Sequence, residues 1–134
     1  VYRVEAGPLA RRRAALVALA DEAAQAEFPP PTLQLLSDRL QRIGANAEAE
    51  QVLQAGLKQQ PGDFWVHNGL GNLLRAKDPE RALRHLSAAL ALRPDDPGTW
   101  ASYGLAFHEY GKHEEARASL QHALELDDQF VMGY

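Results

Sequence analysis

The side chains with the widest chemical reach in this sequence are five histidines, several adjacent carboxylates, a run of three arginines and two tryptophans. A metal site needs ligands returned to one point by their spacing, and these histidines are badly placed for that. His108 and His113 are five apart across a turn, His85 and His122 fall in other segments, and no H-E-x-x-H occurs. Asp95-Asp96 and Asp127-Asp128 lack the alternating oxygen ligands of a calcium loop. The histidines therefore read as exposed helix and turn residues, and neither a metal nor another cofactor is expected. With no cysteine, thiolate zinc, iron–sulfur clusters, disulfides and cysteine nucleophiles are excluded.

Other routes to catalysis fail on spacing too. Gly69-Leu70-Gly71 runs on into Asn72-Leu73-Leu74 within a helical pattern and follows no strand, so it is not a phosphate loop. No serine lies in a G-x-S-x-G context. Glu114 and Glu115 are neighbours in sequence and point to different sides of a helix. The expectation is a chain that is not an enzyme. Arg11-Arg12-Arg13 is the basic cluster, but the net charge is −4 and no aromatics interleave it, so it reads as a solvated helical face, with no nucleic-acid partner. The apolar run Ala14–Ala20 stops at Asp21-Glu22, short of the ~20 residues of a membrane span, so no membrane partner is expected.

The elements that position these residues follow from composition and period. Ala and Leu far outnumber Val, Ile and Thr, which suits helices and disfavours strands. Ala49, Ala82 and Ala116 recur at intervals of 33 and 34, as do Leu53, Leu86 and Leu120, and Leu57, Leu90 and Leu124. Upstream, Leu36, Leu70 and Tyr103, and Ser37, Gly71 and Gly104, are spaced 34 and then 33. The reversed order places a one-residue deletion between the two halves of the middle unit. Each half reads as a helix of about three turns. Trp100, Tyr103, Gly104 and Phe107 lie at i, i+3, i+4 and i+7, and Ala116, Leu120, Ala123 and Leu124 mark the facing helix. Gly44 and Gly111 are expected to end helices in the left-handed conformation. Asp63, Asp78 and Asp96 are expected as N-caps, with Pro79 opening the helix after Asp78.

The order bulky residue, Leu-Gly, aromatic or Leu, Gly, Ala, Leu, Ala and Pro over about 34 residues resembles the tetratricopeptide repeat. The third unit carries it on Trp100, Tyr103-Gly104, Phe107, Gly111, Ala116, Leu120 and Ala123-Leu124. The second carries it on Leu70-Gly71-Asn72, Leu74, Ala82, Leu86, Ala89-Leu90 and Pro94. The first departs from it, with Ser37 where Gly is usual and Gly56 where Ala is usual. The resemblance implies an all-α fold, a right-handed superhelix of antiparallel helix pairs. The units run 30–63, 64–96 and 97–128, after a flanking helix in 1–29 and before a cut further helix in 129–134. Ser37 with Ala49, Gly71 with Ala82 and Gly104 with Ala116 are the small pairs that let the two helices of each unit approach. Trp100 falls at the bulky core position, and Trp65, beside Phe64, reads as core at a helix start. The flanking helix is expected over Pro8–Phe28, with Leu16, Leu19, Ala23 and Ala26 along one side and Pro29-Pro30-Pro31 stopping it. Phe130, Val131 and Tyr134 are expected to pack back on the third unit.

In families of this resemblance the first helices line a concave groove that binds a segment of a partner protein. The inward places fall on Gln34, Asp38 and Gln41, on Trp65, Asn68, Asn72 and Arg75, and on Ala101, Leu105, His108 and Glu109. The amides can pair with a peptide backbone and Arg75 with a carboxylate or phosphate; the bland reading has these groups solvate an open groove. Repeats that hold the acidic tails of heat-shock chaperones carry Lys, Arg and Asn here. Only Asn72 and Arg75 fit that pattern, and Asp38 would repel a terminal carboxylate. Residues 61–72 are similar to repeats in large bacterial multidomain proteins, including arrays that follow a Ser/Thr kinase domain.

The leading expectation is a protein-interaction module. The alternative is a regulatory or scaffolding segment of a larger bacterial enzyme such as a Ser/Thr kinase, motivated by a chain that starts at Val1. A third reading is self-association through repeat ends, with Leu120 and Leu124 left uncovered. The expected compartment is the cytoplasm.

Overall fold

The computed structural model describes residues 7–25 and 27–132, with the side chains of 24, 25 and 128–132 left aside. It is all-α among these residues: α1 (Pro8–Gln25), α2 (Pro30–Arg42), α3 (Asn46–Gln59), α4 (Phe64–Leu74), α5 (Pro79–Leu92), α6 (Pro97–Glu109) and α7 (His113–Met132). Helices α2 with α3, α4 with α5, and α6 with α7 pack as neighbours, and each pair leans on the next through α3·α4 and α5·α6. The result is a solenoid-like stack of hairpins, with α1 laid against α3 and α2.

Short-range chemistry sets the helix ends. Asp63, Asp78 and Asp96 each accept a hydrogen bond from the backbone N–H three residues on, at Val66, Arg81 and Thr99 (3.1, 3.3 and 2.9 Å). Each satisfies one of the orphan donors of a first turn. Gly44 and Gly111 have φ of +80° and +85°. At both, the glycine N–H bonds a carbonyl three residues back and the next N–H one five back, a Schellman end (Gly111 N to His108 O, 3.0 Å; Lys112 N to Phe107 O, 2.8 Å). The middle pair has no such glycine. Its one-residue deletion removes that turn, and Asp78 N–H bonds Leu74 O at 2.7 Å instead.

The small residues do permit close approach, and besides the expected Ala116 opposite Gly104 they meet the leucine four residues beyond the expected alanine. A Cβ on Gly104 would sit 2.7 Å from Leu120 Cγ and 3.1 Å from the Ala116 carbonyl. One on Gly71 would collide with Leu86. Gly56 is a buried contact as well, where a Cβ would lie 2.6 Å from Leu33 Cδ1. Around these contacts, Leu36, Leu40, Ala49, Val52, Leu53, Val66 and Leu70 form a core that joins the first two pairs. A smaller cluster of Leu74, Ala82, Leu86 and Ala106 joins the second to the third.

Three expectations about the ends change. Helix α1 stops at Gln25, and Pro30 and Pro31 lie in the first turn of α2 rather than acting only as a stop. A proline at the start of a helix gives up an N–H that has no intrahelical partner anyway. On α1, Ala20 and Ala23 are buried while Leu19 is exposed; Ala26 lies outside the described residues. Helix α7 continues unbroken through Asp128 to Met132. Asp128 stands where Pro61 and Pro94 stand in the other units, and it keeps the N–H that a helix needs to continue. The side chains of Phe130, Val131 and Tyr134 lie outside those described.

Candidate partner-binding face

Helix α4 supplies the best-formed part of the expected face. Trp65, Asn68, Asn72 and Arg75 follow at intervals of three, four and three, so they share one side of the helix, and all are half-buried. Trp65 stands edge-on to the buried Phe64, with ring centroids 5.4 Å apart. The Arg93 guanidinium covers both rings, 4.5 Å from Phe64 and 5.0 Å from Trp65. This stack joins the start of α4 to the end of α5 by cation–π attraction. Arg93 is not legible in the sequence as part of this face, because nothing local links a residue after α5 to one at the start of α4.

Asn68 has a structural partner. Thr99 Oγ1, buried at the start of α6, lies 3.1 Å from Asn68 Oδ1 and 2.6 Å from Asp96 Oδ2. One hydroxyl proton serves both acceptors, and the Asn68 NH2 remains available for another group. Asn72 and Arg75 enter no hydrogen bond or ion pair with another described residue.

Helix α2 offers less. Gln41 donates from Nε2 to Ser37 Oγ at 3.2 Å and is committed within its own helix. Gln34 turns inward, and its Oε1 is buried with no partner among the described residues. It occupies the register of Asn68 one pair earlier, and the residue in the register of Thr99 is Val66, which has no hydroxyl to give. Asp38 is exposed; partial desolvation raises its pKa above the ordinary 3.8, outweighing the attraction of Arg42 and Arg39.

Helix α6 presents its residues differently. Ala101 lines an open groove of about 520 Å³ with Pro97, Leu120, Leu124 and Asp127. His108 lines a second groove along α7, with its ring 5.1 Å from His113. Both grooves are lined by α6 and α7 alone, so neither joins Ala101 or His108 to the polar stripe of α4. Leu105 and Glu109 are exposed, and Leu124 is 66% exposed.

Trp100 and Arg13 also make contacts that their spacing does not indicate. Trp100, only half-buried, donates its indole N–H to the Pro94 carbonyl at 2.6 Å and stands edge-on to His122. Arg13, expected to be only solvated, donates to the Ile43 carbonyl and ties α1 to the end of α2. Among the described residues no group of three His, Asp or Glu side chains converges as a metal site would require. No described helix is long and apolar enough to cross a membrane.

Residues 73–130 match the tetratricopeptide repeat family model. The chain is 33% identical over 78 residues to Superkiller protein 3 of Schizosaccharomyces pombe, which covers 56% of this chain and 6% of that protein. The chain thus spans a small fraction of the length of the curated relative it matches. Among solved structures it is similar to MamA MSR-1 C2, with a TM-score of 0.68 and 22% identity over 89% of this chain and 71% of that one. It is also similar to the crystal structure of MamA, with a TM-score of 0.72 and 17% identity over 98% of this chain and 80% of that one. At these identities the likeness concerns the helical-repeat fold.

Proposed function

We propose that the array is a non-enzymatic docking module that holds a segment of a partner protein along the face built by α2, α4 and α6. Tetratricopeptide repeats are protein-interaction repeats, and residues 73–130 match their model. One observation carries the reading to particular residues. Asn72 and Arg75 are half-buried on one face of α4, and the fold uses neither for a bond within the described residues. An amide and a guanidinium held at that spacing suit an extended backbone with a carboxylate nearby. Trp65, steadied by Arg93, adds a flat contact at the other end of the stripe. Asp38, exposed on α2, extends the face on one side, and Leu105, exposed on α6, on the other. The test is capture of partners from an extract of the source cells by the wild-type chain and by Asn72→Ala combined with Arg75→Ala. Loss of captured proteins with unchanged helical content supports the reading, and full retention refutes this face as the site.

A second reading places the array inside a larger polypeptide, such as an enzyme with a Ser/Thr kinase domain, where its contacts are internal. The great length of Superkiller protein 3 beside the segment matched here favours it. The full reading frame of the parent gene decides: a catalytic domain beside the repeats supports it, and repeats alone overturn it.

A further inference from the structure

His67 and His85 were expected on the surface, yet both are half-buried and their rings meet between α4 and α5. The Nδ1 atoms lie 3.1 Å apart, and His67 Nε2 lies 2.7 Å from the Pro61 carbonyl oxygen. A carbonyl only accepts, so His67 Nε2 carries a proton and, in the neutral ring, His67 Nδ1 is a bare acceptor. The proton between the rings therefore sits on His85 Nδ1. Trp100 makes the same bond one pair later, giving its indole N–H to Pro94 at 2.6 Å, so a donor at this place is a recurring joint of the stack. The ring centroids are 5.4 Å apart, which is the 3.1 Å contact plus one ring radius at each end. The two nitrogens hence point head-on at one another. That suits a shared proton and leaves a metal ion no room between them.

We propose that His67 and His85 form a one-proton joint between α4 and α5 that opens on acidification, when the acceptor, His67 Nδ1, takes up a proton and two N–H groups are forced together. The joint holds with one proton between the rings and fails with two. The groups facing it come from three helices: His67 on α4, Arg81 and Arg84 on α5, and Glu50 on α3. Glu50 is itself engaged, 3.4 Å from Arg81 and 3.6 Å from Lys77. Burial, then His67, Arg81 and Arg84, hold His85 below its ordinary pKa of 6.5, against the pull of Glu50. A depressed value means that stability is full above pH 6.5 and falls as pH drops through the folded value of His85, whose added proton goes to the outer Nε2; the joint itself opens when the acceptor, His67 Nδ1, is protonated. The device acts within the second helix pair and does not depend on what the array binds.

The test is a double-mutant cycle on urea unfolding with His67→Trp, His85→Ser and the double variant, at pH 7.5 and pH 4.5. His67→Trp keeps a ring N–H for Pro61 and removes the Nδ1 acceptor. The expected coupling is about five- to tenfold in the folding equilibrium constant at pH 7.5, the size of one hydrogen bond, and less than about twofold at pH 4.5. Equal coupling at the two pH values, or none at pH 7.5, overturns the proposal. Long-range 1H–15N spectra of the wild-type rings give a reading free of any variant. A proton on Nε2 of His67 and on Nδ1 of His85 at pH 7.5 supports the joint, and a proton on Nε2 of both rings refutes it.

Discussion

Thr99 Oγ1 on α6 meets Asn68 Oδ1 on α4 at 3.1 Å, a polar bond between successive helix pairs at a fully buried threonine. One pair earlier, Val66 holds the register of Thr99 and Gln34 that of Asn68, and Gln34 Oε1 has no partner among the described residues. One joint is satisfied and the other is short of a donor.

Thr99→Val is therefore expected to destabilise the fold by about 1–2 kcal/mol, since Asn68 and Asp96 both lose the hydroxyl. Thr99→Ser should recover most of that loss. The reciprocal change, Val66→Thr, ordinarily costs stability because it buries a hydroxyl, but in the register of Thr99 that hydroxyl is expected to offer Gln34 a proton. Urea midpoints of the three variants check the pair, and a loss in Val66→Thr as large as in Thr99→Val contradicts the assigned register.

Gly104→Leu should overpack the third pair by about 1–3 kcal/mol, because its first atom already meets Leu120 at 2.7 Å. Part of the loss should return when Leu120 is shortened to Ala in the same chain. A melting temperature unchanged in Gly104→Leu would remove the close-approach argument.

Gly111→Ala is expected to cost about 1 kcal/mol although nothing lies within 4 Å of its missing Cβ, because the penalty comes from φ at +85°. Gly62→Ala, with equally open surroundings and no positive φ, is the matched control and should change little. Thermal unfolding of the two separates backbone strain from packing.

Asp38→Asn should raise stability slightly at pH 7 and leave it unchanged near pH 3. The raised pKa means the fold disfavours the ionised carboxyl, so the wild type loses stability as pH rises through the folded value. The effect is small because the side chain is exposed. Equal melting temperatures of wild type and variant at pH 7 would show that Asp38 ionises without penalty.

What the amino-acid order determined by itself are the features settled within a few residues. The aspartate caps at 63, 78 and 96 and the left-handed glycines 44 and 111 need only their own turn, and each stands where local chemistry puts it. The 34-residue period likewise shows which faces are apolar, because a helix brings every third and fourth residue to one side. The end of α1 and the persistence of α7 to Met132 were not legible, since prolines at 30 and 31 open a helix as readily as they close one and Asp128 permits either outcome. Tertiary structure alone decided the contacts between residues far apart in sequence. It brought Arg93 over Phe64 and Trp65, set Thr99 against Asn68, and turned His67 and His85 head-on. It also set Ala101 and His108 in grooves lined by α6 and α7. These depend on the offset between packed helices, a quantity fixed by close contacts such as the Leu86 side chain on Gly71 and that of Leu120 on Gly104, and no single segment contains it.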